Sequence, residues 1–216
     1  TRCTPAAVEQ DHLRVVIDSN PKIPNRTEAL FSGETGPIVE ALGQTARNLE
    51  AAGAEIIGIP CNTAHAFLDD VRAAVDIPVA DMVGETARRA RKAYGSGATV
   101  GLVATDGTLR SRLYHDALEE VGLNPLAPPE SGVQFAVMDA LDSVKLDGVT
   151  EDACSALAMA VEDLTAHGVT ALIAGCTEAS LVFVRRPPGL PWLDPLQILA
   201  EALVREATGD RSEVEA

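Results

Sequence analysis

Aromatic side chains are scarce in this sequence: four Phe, two Tyr and one Trp among 216 residues. A buried core must then be built mainly from Ala, Val, Leu and Ile, which suits helices laid on a buried parallel sheet. Basic residues are also short, 17 Lys and Arg against 32 Asp and Glu, for a net charge of −15. That deficit argues against nucleic acid and anionic membrane surfaces as partners. It also repels an anionic substrate at long range, so every cation near a proposed site needs a reason. Lysine is reduced to Lys22, Lys92 and Lys145. No apolar run reaches the length of a membrane span, and no signal peptide is visible. The four cysteines, Cys3, Cys61, Cys154 and Cys176, follow neither a CxxC nor a zinc-ribbon spacing. The expectation is a soluble cytoplasmic protein with reduced thiols. Its length allows one large domain or two small ones.

What is present is alternation. Apolar runs at residues 13–19, 54–60, 77–83, 98–105 and 169–176 read as strands, with a short strand and turn at 124–132. Helical periodicity covers residues 36–53, 63–75, 84–95, 107–122, most of 133–167, 177–184 and 195–209, while 19–30 with its two prolines reads as a loop. The fold class is therefore α/β with parallel sheets, and two sheets of about four strands fit better than one. The boundary falls near "YGSGA" (94–98), giving a first lobe of residues 1–95 plus 195–210 and a second of 96–194.

Two segments repeat each other. "NLEAAGAEIIGIPCNTA" and "DLTAHGVTALIAGCTEA" each run helix, glycine, strand, cysteine. Gly53 precedes Cys61 by eight residues, and Gly168 precedes Cys176 by eight. Ligands in open α/β sheets bind beyond the carboxyl ends of strands. A thiol there, at a helix N-terminus, has its thiolate stabilised by backbone N–H groups. Two halves related by a pseudo-twofold would point both thiols at one cleft, where one can take a proton and the other return it. Against this stands the ordinary reading of free cysteine as a small buried hydrophobe, which is the one assigned to Cys3 and Cys154. His65, four residues after Cys61, either helps the thiol or is a satisfied helix histidine. A zinc site on Cys61 and His65 lacks further ligands at suitable spacing, and no metal is expected.

"PCNTAH" (60–65), "GCTEA" (175–179), "EQDHLRVVIDSNPKIPNR" (9–26) and "LVATDGTLRSRLY" (102–114) resemble the aspartate/glutamate racemase family, its aspartate branch in particular. The resemblance spans about residues 5–207. It implies two flavodoxin-like lobes with the active site between them, no cofactor, a small dicarboxylic amino acid as substrate, and a homodimer. It also implies Cys61 and Cys176 as acid/base thiols, with Asn62, Thr63, Thr177 and Glu178 holding substrate or tuning them. Arg26 matches the arginine on the substrate's side-chain carboxylate, and Lys145 the second cation. Thr105 and Thr108 match hydroxyls near the α-carboxylate.

Two features depart from the family. Asn25 stands where the family motif has Asp, a change that bears on specificity. The family opens with a strand and a Gly-rich loop, whereas this sequence starts at what would be the end of the following helix; either roughly two dozen residues precede this sequence, or the first lobe is rebuilt. A maleate-type isomerase using the same cysteines, or a binding protein with a degenerate site, are the competing readings.

Overall fold

The computed structural model describes residue 4, residues 8–129 and residues 132–209. Cys3 lies outside them. In chain order the helices and strands are α1 (Arg26–Ser32), α2 (Gly36–Ala51), α3 (Leu68–Arg72), α4 (Met82–Tyr94), β1 (Thr99–Ala104), α5 (Asp106–Arg110), α6 (Leu113–Glu120), β2 (Asn124–Leu126), α7 (Gly132–Asp147), α8 (Glu151–Ala166), β3 (Ala171–Gly175), α9 (Thr177–Arg185), β4 (Trp192–Leu193) and α10 (Pro195–Thr208). Short 3-10 turns cover Glu9–Asp11 and Thr63–Phe67.

The second half carries a four-stranded parallel sheet in the order β2-β1-β3-β4. Successive side chains of a strand face opposite sides, and β1 and β3 use both. Val103, Leu172 and Ala174 pack with α7, α8 and α9, while Val100, Leu102 and Ile173 pack with α4 and α6. Burial on both faces explains why these strands read as continuous apolar runs. Cys154, in the first turn of α8, is part of the first of these cores.

The first half departs from expectation. Of the strands read at 13–19, 54–60 and 77–83, only one parallel bridge forms, Ile57 with Val79. Residues 13–19 are extended but pair with no strand among the described residues, and Val15 and Ile17 are 74% and 80% exposed. A strand needs a ladder on at least one edge as well as β-branched residues, and that ladder is missing here. The core of this half is instead helical, Ile38, Leu42 and Ala46 of α2 against Phe67, Leu68 and Val71.

Three boundaries also shift. The loop read at 19–30 contains the start of α1, because the Asn25 side chain accepts from the Thr27 and Glu28 amides and caps it. The helix read at 63–75 opens as a 3-10 turn. The helix read at 107–122 breaks at Arg112, whose φ is +57°, so α5 and α6 are separate helices. α10 returns to the first half and packs beside α4, where Arg89 meets Glu201 at 2.8 Å and Arg205 meets Glu85 at 2.9 Å.

Candidate functional site

The repeat read from sequence is physical. Gly53 and Gly168 both take left-handed φ, +86° and +85°, to end α2 and α8 before the segments that lead to each cysteine. The correspondence runs further. Four residues after Cys61, His65 Nε2 accepts from the Met82 amide at the start of α4. Four residues after Cys176, Ser180 donates to Asp194, the N-cap of α10. Asp81 caps α4 in the same way. Each cysteine segment is therefore tied to the start of the helix after the next extended strand.

Cys176 closes β3 and precedes α9. It is 8% exposed, and its Sγ donates to Glu178 Oε2 at 2.7 Å. Burial pushes this thiol up, and the Glu178 charge and hydrogen bond push it further, to about 12. Lys145 works the other way on the thiol. The ammonium of Lys145 is itself penalised by partial burial, but Asp142, Cys176 and Glu178 together raise its pKa. Its direct partner is Asp142, at 2.8 Å. Thr177 opens α9, half-buried, between Cys176 and Glu178.

Cys61 is half-buried on the wall of a cavity of about 260 Å³. Arg26, Asn20 and Thr45 line the same cavity, with an apolar remainder that includes Leu42, Ile57 and Val71. Arg26 is the first residue of α1, and its guanidinium donates to the Pro24 carbonyl at 3.2 Å. His65 does not reach for the thiol. Its Nδ1 bonds the Cys61 carbonyl at 2.9 Å while Nε2 accepts from Met82, so both ring nitrogens are taken and the proton sits on Nδ1. Burial lowers its pKa, which keeps the ring neutral. Of the two sequence readings for His65, the satisfied helix histidine holds.

The residues next to Cys61 join the two halves. Thr63 Oγ1 lies 3.2 Å from Thr105 Oγ1 and 2.9 Å from Thr108 Oγ1, and the latter two are 3.2 Å apart. Thr105 is the N-cap of α5 and follows directly on Ala104, the register partner of Gly175. Thr105 and Cys176 thus extend neighbouring strand ends. Gly107 permits the approach: a Cβ there would stand 2.5 Å from Thr27 Oγ1 and 3.0 Å from Thr63 Cγ2. Asn62 is 3% exposed, its Oδ1 accepts from the Tyr114 hydroxyl, and its Nδ2 has no partner among the described residues. Buried donors left open in this way mark places where a ligand acceptor belongs.

The structure thus groups Thr63, Thr105 and Thr108, groups Cys176, Glu178 and Lys145, and sets Arg26 with Cys61. Tyr114 was missed by sequence reasoning. Its signal was rarity, since it is one of two tyrosines and sits on the buried side of an amphipathic helix. Among the described residues no group of three His, Cys, Asp or Glu is arranged to hold a metal. No helix among them is long and apolar enough to cross a membrane.

Fold and site define a class, parallel α/β proteins with one cysteine between a strand and a helix, Cys176, and a second at the matching place in the other half, Cys61, between an extended apolar segment and a 3-10 turn. The profile of the Asp/Glu/Hydantoin racemase family matches residues 1–203, and the chain belongs to that family. It is 30% identical over 183 residues to the glutamate racemase of Corynebacterium glutamicum, covering 78% of this chain and 62% of that enzyme. It is 24% identical over 165 residues to the broad specificity amino-acid racemase RacX of Bacillus subtilis, covering 76% of this chain and 70% of that protein. Among solved structures, the aspartate racemase of Picrophilus torridus superposes with a TM-score of 0.83 at 29% identity, over 98% of this chain and 86% of that one. The glutamate racemase of Francisella tularensis in complex with D-glutamate shares the fold, with a TM-score of 0.66 at 20% identity, over 88% of this chain and 69% of that one.

Proposed function

We propose that this chain is a cofactor-independent amino-acid racemase that acts on aspartate, with glutamate as the next substrate, through two thiols on opposite faces of Cα. The observation that carries the reading is the thiol proton of Cys176, held on Glu178 at 2.7 Å beside Lys145. A two-base racemase needs one thiol protonated and the other as base, and this arrangement supplies the protonated one.

The chemistry follows from that starting point. Cys61 as thiolate removes the Cα proton from one enantiomer, and the Cys176 S–H returns a proton to the other face. After turnover the protonation states have exchanged, and the opposite enantiomer runs the sequence in reverse. No proton is gained or lost overall. A thiolate on Cys176 would be offset by Lys145 and would need Glu178 to give up or share its hold on the proton. The carbanion that forms at Cα needs fixed donors around its carboxylate. Asn62 Nδ2 is open for that task, and Thr63, Thr105, Thr108 and Thr177 are the hydroxyls assigned to it. Arg26 is assigned to the side-chain carboxylate and Lys145 to the Cys176 side. These two cations are the local answer to a net charge of −15. The same reading carries a cytoplasmic homodimer, to be checked by light scattering.

Proton NMR in deuterium oxide tests the proposal. L- and D-aspartate and L- and D-glutamate are offered in turn, and the products are separated on a chiral column. Loss of the Cα–H signal with appearance of the opposite hand is the expected result. No exchange on any of the four substrates would sink it. Cis-trans isomerisation of maleate, with no Cα exchange on the amino acids, would point to the related isomerase chemistry.

A further inference from the structure

Three buried side-chain polar atoms have no hydrogen-bond partner among the described residues: Asn62 Nδ2, His115 Nδ1 and Gln134 Oε1. The first belongs to the site above. The other two side chains, on α6 and α7, line one small cavity of about 190 Å³ behind α5. Asp106 lines it too, and the remaining walls include Leu109 and Phe135. Gln134 is 4% exposed, and its Nε2 is already committed to the Ala104 carbonyl at 3.1 Å and to Asp106 Oδ1 at 2.8 Å. Its amide is therefore fixed, with the oxygen left over.

We propose that this cavity is a second ligand site, and that it takes a primary ammonium group. The Asp106 carboxylate, Gln134 Oε1 and His115 Nδ1 offer three acceptors, which matches the three N–H donors of an ammonium ion. His115 serves as acceptor in its neutral form with the proton on Nε2. Burial, and after it the Arg112 guanidinium, lower its pKa and favour that neutral form. Arg110 also lines the cavity, but its guanidinium lies over the Phe31 ring, 4.4 Å from the centroid. One carboxylate with an imidazole and an amide is a poor set for a hard divalent cation, which asks for six or more oxygens. The chain's negative charge favours an organic cation over an anion. Gln134 bonds to Ala104 and Asp106, which flank Thr105, so a ligand here touches the turn that carries the threonine cluster.

The inference stands apart from the racemase reading, because it is tested by binding and not by turnover. The experiment is amide NMR on the isotope-labelled full chain, titrated with methylammonium chloride. Tetramethylammonium chloride is the control, a cation with no N–H donor. Saturable displacement of the Gln134 side-chain amide signals and of the Asp106 and Gly107 backbone amides is expected with methylammonium alone. Gln134→Leu and His115→Phe should each bind at least tenfold more weakly; His115 is only partly buried, so its variant decides the matter if Gln134→Leu does not fold. Equal shifts with tetramethylammonium, absence of saturable shifts, or full affinity in His115→Phe would overturn the proposal. A parallel titration with glycine separates the sources. Tighter binding than methylammonium identifies a free amino acid, and weaker binding identifies a simple amine.

Discussion

The two cysteine segments have the same local plan and different chemistry. Both follow a left-handed glycine and an apolar segment, and both are pinned through the residue four places on. At Cys176 a carboxylate two residues on accepts a hydrogen bond from the thiol, in a site that is 8% exposed. At Cys61 the neighbours are an amide and a hydroxyl, and both bond to the other half, the Asn62 oxygen to Tyr114 and Thr63 to Thr105 and Thr108. One segment thus holds a proton, and the other holds the two halves together and opens on a cavity. A duplicated scaffold supplies symmetry of position, and at Cys176 burial, with Glu178 two residues on, favours the protonated thiol. On the proposed two-base reading, Cys176 is the thiol that starts with its proton.

Replacing either thiol is the most severe way to break the comparison. Cys61→Ser and Cys176→Ser should each reduce net racemisation by about a thousandfold or more, within the upper range for a general acid or base. Each should still exchange the Cα proton of one enantiomer with deuterium, and the enantiomer should differ between the two variants. Exchange of both hands in either variant would remove the two-base mechanism.

Glu178→Gln is the next step down. It deletes the charge and the charged acceptor that hold the Cys176 proton, so the thiol should titrate below its present value of about 12. Burial remains, so the fall is partial. Alkylation of Cys176 by iodoacetamide, followed by peptide mass spectrometry, should set in at lower pH than in the unaltered protein. Turnover should drop roughly tenfold to a hundredfold. An unchanged alkylation profile would mean that burial alone holds the proton.

Tyr114→Phe probes the other segment. The lost hydrogen bond is worth about 1 kcal/mol, and the freed Asn62 amide can turn its oxygen toward a substrate carboxylate. KM should rise about fivefold, the equivalent of that energy, with kcat changed less. If Tyr114 acts through Asn62, the same change made on an Asn62→Ala background should add little. Full additivity would show that the tyrosine only supports the core.

The sequence reveals these two segments unequally for physical reasons. β1 and β3 are legible because both faces are buried, and the cysteine after β3 is legible with them. Residues 13–19 have the composition of a strand, but composition cannot report whether a neighbouring strand is there to pair with, and Val15 and Ile17 stand exposed. The Thr63, Thr105 and Thr108 cluster joins residues about forty apart in sequence, and no local pattern announces it. The break at Arg112 is equally silent, since a positive φ at a non-glycine residue is uncommon and here falls inside a good helical pattern.

Asn25 gives the smallest expected effect and the clearest separation of two roles. Its place beside Arg26 suggests a residue that tunes specificity, yet its side chain is spent capping α1. Asp caps a helix as well as Asn does, so Asn25→Asp should leave stability within a few tenths of a kcal/mol and leave the ratio of aspartate to glutamate turnover unchanged. Asn25→Ala should cost about 1 kcal/mol and lower the melting temperature by about 2–4 °C. Because Arg26 is the first residue of that helix, fraying should also raise KM for diacids while kcat holds. A switch of substrate preference in Asn25→Asp would assign the residue to the ligand, and the difference between the two cysteine segments would then extend to a side chain that now serves only the fold.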